Sequence, residues 1–217
     1  MKRSTHTGSV YLMLVGSALG CLATAAGANG ANGNVVMDVN QGIVSFDVAT
    51  NVPALRVHGK SNSVTARVRL DSGPTGVLLE QIEARMPVRS LDTGLSLRDE
   101  HMRKYIFTTA DGQVPDVQFW SERAECPSLG SGQRTTCTVS GALTIRGTAR
   151  PFVMTLTISE DNGIVRASGH GIVKLSAYGI DQPSQLGVRT TDEIKLKLEL
   201  TARRSAPQAT VSSMGTR

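Results

Sequence analysis

The 217-residue chain is 40% hydrophobic but only 4% aromatic and holds 22 glycines, which suits one domain, or two small ones, rich in β structure. Its formal charge of +5 is not spread over the body: Lys2 and Arg3 lie in a leader and Arg203, Arg204 and Arg217 in the tail. Removing these five from 23 basic residues leaves 18 against 18 acidic ones, which argues against nucleic acid as a partner.

The chain opens with Lys2-Arg3, an apolar run from Val10 to Val15, and small residues from Gly16 onward. These are the three zones of a secretory signal peptide, assigned here to residues 1–28. The apolar run is well short of the ~20 residues of a membrane-spanning helix. Cleavage fits after Ala25 or after Ala28, where small residues stand at the required spacing. Ala18-Leu19-Gly20-Cys21 resembles a lipoprotein box with its Leu one place late, so anchoring at Cys21 is the lesser reading. The expected destination is the periplasm or the exterior of a bacterium.

Residues 29–34, all Asn, Gly and Ala, read as a flexible spacer. From Val35 onward the pattern is strand after strand. Val44, Phe46 and Val48 alternate with polar or small residues, as do Ala66, Val68 and Leu70. Further strand-like runs cover Val77–Met86, Val117–Ala124, Thr136–Ile145, Phe152–Ile158 and Val165–Leu175. Ile194, Leu196, Leu198 and Leu200 against Lys195, Lys197, Glu199 and Thr201 give the cleanest period of two, that of a half-buried strand. Between the runs stand Asp71-Ser72-Gly73-Pro74, Asp111-Gly112 and Asp161-Asn162-Gly163, the last a hairpin turn that accepts positive φ. Strands at this spacing, without long helices between them, predict an all-β sandwich or barrel.

One stretch differs. Ser96–Tyr105 is made of good helix formers, and Ser96 with Asp99 three places on is a weak capping pattern. On such a helix Asp99 and His101 point apart and cannot share a proton, whereas Arg98 and His101 share a face. Asp99 and Arg103, four apart, are expected to form an ordinary surface ion pair. Cys126 and Cys137 flank a turn-rich segment and predict a disulfide at the base of a hairpin, stabilising by about 2–3 kcal/mol. Metal-ligand spacing is missing around them. The end of the chain, 203–217, reads as a disordered tail.

Three ordered blocks then carry a resemblance. The first is Ser90-Leu91-Asp92-Thr93-Gly94 with Arg98-Asp99-Glu100-His101-Met102, Phe107 and Val114-Pro115-Asp116-Val117-Gln118-Phe119. The second is Gly141-Ala142-Leu143-Thr144-Ile145-Arg146-Gly147 with Arg150-Pro151-Phe152. The third is Tyr178-Gly179-Ile180 with Thr191-Asp192-Glu193-Ile194. Together, over about residues 35–202, they resemble the YceI-like family of exported, lipocalin-like, polyisoprenoid-binding proteins. Departures are Gln41-Gly42 in place of the family's His-Ser pair, Tyr178 in place of Phe, and Ser176-Ala177 where an Arg is usual.

The resemblance implies an all-β fold: an eight-stranded antiparallel barrel with a short helical segment near one end. It also implies an amphiphilic lipid as ligand, tail inside and head at the mouth. Phe46, Val48, Ile82, Phe107, Phe119, Leu143, Ile145, Leu156 and Tyr178 are expected to line the interior, with Trp120 a further aromatic candidate. Arg98 and Asp99 either pin the helix to the barrel rim, or Arg98 and His101 hold a phosphate or carboxylate head there. A barrel of about eight strands has room for packed side chains or one slim ligand.

The expected function is lipid transport or storage by enclosure, not catalysis, with no cofactor and no metal. No Gly-Xaa-Ser-Xaa-Gly elbow, P-loop or dinucleotide fingerprint occurs in the sequence. Two other readings stay open. One is a redox helper presenting quinone or haem through His58 or His170; the other is a barrel filled by its own side chains that serves as an envelope interaction module. Transient contact with a membrane or envelope protein, and a homodimer, are compatible with each.

Overall fold

The computed structural model describes residues 33–73, 76–127, 133–162 and 164–203. The expected leader, Cys21, the spacer from 29 to 32 and the tail from 204 lie outside the described residues, as do Pro74 and Gly163 of the predicted turns.

In chain order the elements are β1 (Gly33–Thr50), β2 (Arg56–Gly73), β3 (Gly76–Met86), a 3-10 turn (Val88–Ser90) and α1 (Ser96–Met102), which runs on as a π turn (Arg103–Phe107). Then come β4 (Val117–Glu125), β5 (Arg134–Ile145), β6 (Thr148–Asp161), β7 (Ile164–Lys174), a 3-10 turn (Leu175–Tyr178), β8 (Ser184–Gln185) and β9 (Val188–Arg203). Neighbours are antiparallel in the order β1-β2-β3-β4-β5-β6-β7-β9, and β1 also pairs with β9, from Gly42↔Leu200 to Thr50↔Thr190. Eight strands therefore close into a barrel, and the short β8 pairs with β9 alone. The expected fold class is what forms.

The period of two is what makes the inside. Along β9, Ile194, Leu196 and Leu198 turn inward while Lys195, Lys197 and Glu199 are exposed. Between β6 and β7 only Asn162 and Gly163 intervene, and Asn162 takes φ 51°, the positive value an Asn-Gly hairpin requires. On β5, Gly141 sits directly against the β4 backbone, where any Cβ would meet the Trp120 carbonyl.

The strands run past several of the sequence boundaries. β1 starts at Gly33, inside the expected spacer, and Arg203, expected in the tail, still pairs with Ile164. β2 begins ten residues ahead of its visible alternation, at Arg56. Its upper half pairs with β1, but on the other side it meets a single bridge, Lys60↔Asp92. Its inward positions there are Gly59, where a Cβ would run into the Phe46 ring, and Ser61, so the stretch shows no apolar alternation. Its one fully buried polar side chain, Ser61, is hydrogen-bonded to Ser90 Oγ at 2.6 Å. Ser90 gives its own proton to the Pro87 carbonyl (2.6 Å), so Ser61 is the donor of that pair.

The register sorts the connections by end. Residues 51–55, the segment 87–116 with α1, the tight turn Arg146-Gly147 and the connection 175–187 all lie at one end of the barrel. At the other end lie the start of β1, the β2–β3, β4–β5 and β6–β7 connections and the end of β9. The Cys126–Cys137 disulfide forms at this second end, with Cα atoms 4.4 Å apart, joining β4 to β5.

Candidate functional site

The two halves of the barrel are filled differently. Toward the disulfide end, Met37, Val39, Leu70, Leu79, Cys137 and Leu200 are buried against one another and form a packed core. Above them the interior is hollow. A cavity of about 1010 Å³ begins at a floor of Val64, Val139, Leu156 and Leu198 and continues to the α1 end. This is at the upper bound of the roughly 300–1,000 Å³ usual for small-molecule sites.

Each wall follows from strand alternation. Ile82, Ala84 and Met86 project from β3, Leu143 and Ile145 from β5, and Ile194, Leu196 and Leu198 from β9. Phe119 of β4 and Phe152 of β6 meet edge to face, 6.0 Å between ring centres. Gly171 of β7 leaves the space Phe152 occupies, because a Cβ there would run into its ring. Arg98, His101, Met102, Tyr105 and Ile106 of α1 and its π extension face the cavity, the i, i+3, i+4, i+7, i+8 stripe of one helix side.

Eight of the nine residues expected inside, Phe46, Val48, Ile82, Phe107, Phe119, Leu143, Ile145 and Leu156, line the cavity. Tyr178 does not. It is buried in the 3-10 turn after β7, and its hydroxyl donates to the Leu143 carbonyl at 3.2 Å. Burial pushes its phenol pKa up, so it remains a protonated donor. The turn is held at three further points. Arg150 Nε donates to the Ala177 carbonyl (2.7 Å), Arg146 Nη2 to that of Gly179 (2.9 Å), and Ser176 N to Asp192 Oδ1 (2.8 Å). Gly179 caps it at φ 65°. Trp120 is a second departure: on β4 it alternates with Phe119 and faces outward, 50% exposed.

At the mouth, Asp99 is buried and accepts from Thr93 N (2.9 Å) and Thr93 Oγ1 (2.6 Å). The expected ion pair with Arg103 does not form, and no side chain caps α1, whose N-cap is Leu95. The Thr93 donors occupy the Asp99 carboxylate in place of Arg103. Arg98 Nε donates to Thr93 Oγ1 (2.9 Å) and Nη2 to the Thr93 carbonyl (2.5 Å). Asp92 in turn exchanges backbone hydrogen bonds with Lys60, 2.9 Å each way. Arg98 and Asp99 thus fasten α1 to the rim, as one of the two sequence readings has it. Arg98 still lines the cavity beside His101, with Nη1 not engaged by Thr93.

His58 and His170 belong elsewhere. Neither lines the cavity; His58 stands on the outer face with Nδ1 2.6 Å from Asp47 Oδ2, and His170 is exposed on β7. They occupy different strands, and no group of three metal-ligating side chains occurs among the described residues. Sequence reasoning overlooked Phe152, Met154, Leu196, Leu198 and Ile106 as lining residues. The alternation of β9 and the helical spacing through residue 106 were signals that pointed to the last three.

The family comparison agrees with this geometry. Residues 36–202 match the YceI-like domain. Among solved structures, BcnA of Burkholderia cenocepacia superposes with TM-score 0.58 at 21% identity, covering 74% of this chain and 96% of that one. A polyisoprenoid-binding domain from Saccharophagus degradans, implicated in plant cell wall breakdown, gives 0.56 at 13%, covering 80% and 99%. A Campylobacter jejuni YceI protein gives 0.57 at 19%, covering 72% and 90%. No curated protein matches the sequence. An apolar, half-hollow, eight-stranded barrel with these sequence blocks over most of its length places the chain in the YceI-like family.

Proposed function

We propose that this chain is an exported carrier or store for one isoprenoid-type or fatty amphiphile, working by enclosure without a chemical step. The observation that carries the reading is the hollow of about 1010 Å³ over a packed floor, with apolar walls. Each methylene moved from water into it contributes about 0.8 kcal/mol, so a long tail binds tightly without directional contacts. The head group sits at the mouth, where His101 and the unengaged Nη1 of Arg98 offer donors to a carboxylate or phosphate. The secretory leader and the Cys126–Cys137 disulfide support an oxidising compartment, the periplasm or beyond. Likeness to a polyisoprenoid-binding domain supports this ligand class.

A binding titration tests it. The wild type is expected to take up one polyprenol or long fatty acid per chain. Ala84→Trp, which puts an indole into the middle of the bore, is expected to bind at least about tenfold more weakly while keeping its fold. A wild type that takes neither ligand contradicts the proposal, and so does an Ala84→Trp variant that binds like wild type.

A further inference from the structure

Leu186 is placed against two ordinary preferences at once. It is 97% exposed, and it occupies φ 50° ahead of Gly187 at φ 80°, in the two-residue turn joining β8 to β9. Left-handed backbone at a bulky residue is strained, and a fully exposed Leu contributes nothing to the core. Asn or Gly would serve that turn better. Strain at a solvent-exposed apolar tip points to use rather than packing.

The tip is not isolated. Asn51 clamps it to the β1–β2 turn: Asn51 Nδ2 donates to the Gly187 carbonyl (3.1 Å), Asn51 N to the Arg189 carbonyl (2.8 Å), and Arg189 N to Asn51 Oδ1 (2.8 Å). That neighbouring turn presents Val52 and Leu55, both exposed. From the helical segment comes Tyr105, 60% exposed, with Lys104 Nζ 5.4 Å from its ring centre. Leu55, Tyr105 and Leu186 are exposed and also line the cavity, so they mark its mouth. Residues 51–56, 102–108 and 181–190, which bear these tips, carry Arg56, Arg103, Lys104 and Arg189 against one acidic residue, Asp181, which is exposed and lines the cavity. Arg56 is paired with Asp47 on the outer wall.

We propose that these tips form a docking rim that seats the cavity mouth on an anionic lipid bilayer. Leu186, Val52 and Leu55 enter the headgroup boundary, Tyr105 lies at the interface, and the basic residues meet lipid phosphates. A tail then passes from bilayer to barrel without crossing water. The proposal rests on the carrier reading for its purpose, but its surface is testable by itself.

The test is flotation of the purified exported protein with vesicles of phosphatidylcholine, with and without phosphatidylglycerol. Wild type is expected to float with the anionic vesicles. Leu186→Asn, which suits the positive φ and keeps the turn, is expected to partition about tenfold more weakly, the effect of removing one buried Leu. Val52→Ser, outside the cavity lining, is a second variant expected to weaken partition in the same direction. A wild type that stays apart from both vesicle types overturns the proposal, as do variants that partition like wild type. A protein that floats yet takes no polyprenol from detergent micelles leaves the rim standing and removes the carrier. Uptake from micelles without flotation does the reverse.

Discussion

At the residue scale, the mouth is organised by Thr93. Its amide and hydroxyl both donate to Asp99, and its hydroxyl and carbonyl both accept from Arg98. Asp99→Ala leaves the half-buried Thr93 donors without their acceptor, and an unsatisfied buried donor costs about 1–3 kcal/mol. The expected outcome is a loss of that size in denaturant unfolding, with faster amide exchange through α1. Unchanged exchange there would show that α1 is held some other way. The pairing of these two residues with the rim was legible in the sequence, but the partner was not. Spacing along a helix suggests i, i+4 contacts such as Asp99 with Arg103. Nothing in it reports that a loop residue six places earlier lies beneath the carboxylate. Tyr178 misleads for a related reason: an aromatic in a small barrel reads as lining, yet its hydroxyl needs an acceptor, and the Leu143 carbonyl takes it out of the bore.

At the element scale, the connection after β7 carries a contact that responds to pH. Ser176 donates to Asp192 from both its hydroxyl and its amide, and these bonds hold the Asp192 pKa below the ordinary carboxylate value. A depressed folded pKa contributes stability that is present above the unfolded value of about 3.9 and lost as pH falls through the folded one. The 3-10 turn Leu175–Tyr178 is therefore expected to loosen at acid pH, below that value. The check is the protection factor of the Ser176 amide, its exchange relative to the intrinsic rate at each pH, which should fall on acidification in the wild type and lose its dependence on that titration in Asp192→Asn. A Ser176 protection factor that does not change with pH in the wild type would contradict this. Strands were legible wherever one face is wet and the other packed, as in β9. They were not legible in the upper half of β2, where the inward positions of the polar run His58–Ser63 are Gly59, which makes room for the Phe46 ring, and the hydrogen-bonded Ser61.

At the scale of the molecule, the account depends on unequal filling. Composition and alternation announced an all-β sandwich or barrel, and the family resemblance implied the closed one, but which layers of inward side chains touch and which leave space is a matter of three-dimensional fit. Met37, Leu70 and Leu200 read no differently in sequence from Ile82, Leu143 and Leu198, yet the first three lie in the packed half and the second three on the cavity wall. The most direct test is methyl NMR of the protein with a bound polyprenol, reading intermolecular contacts between ligand and side chains. The account predicts contacts from the tail to Val139, Leu156 and Leu198 at the floor and none to Met37 or Leu70 beneath it. Contacts confined to the outer face, or a tail threaded among Met37 and Leu70, would contradict it.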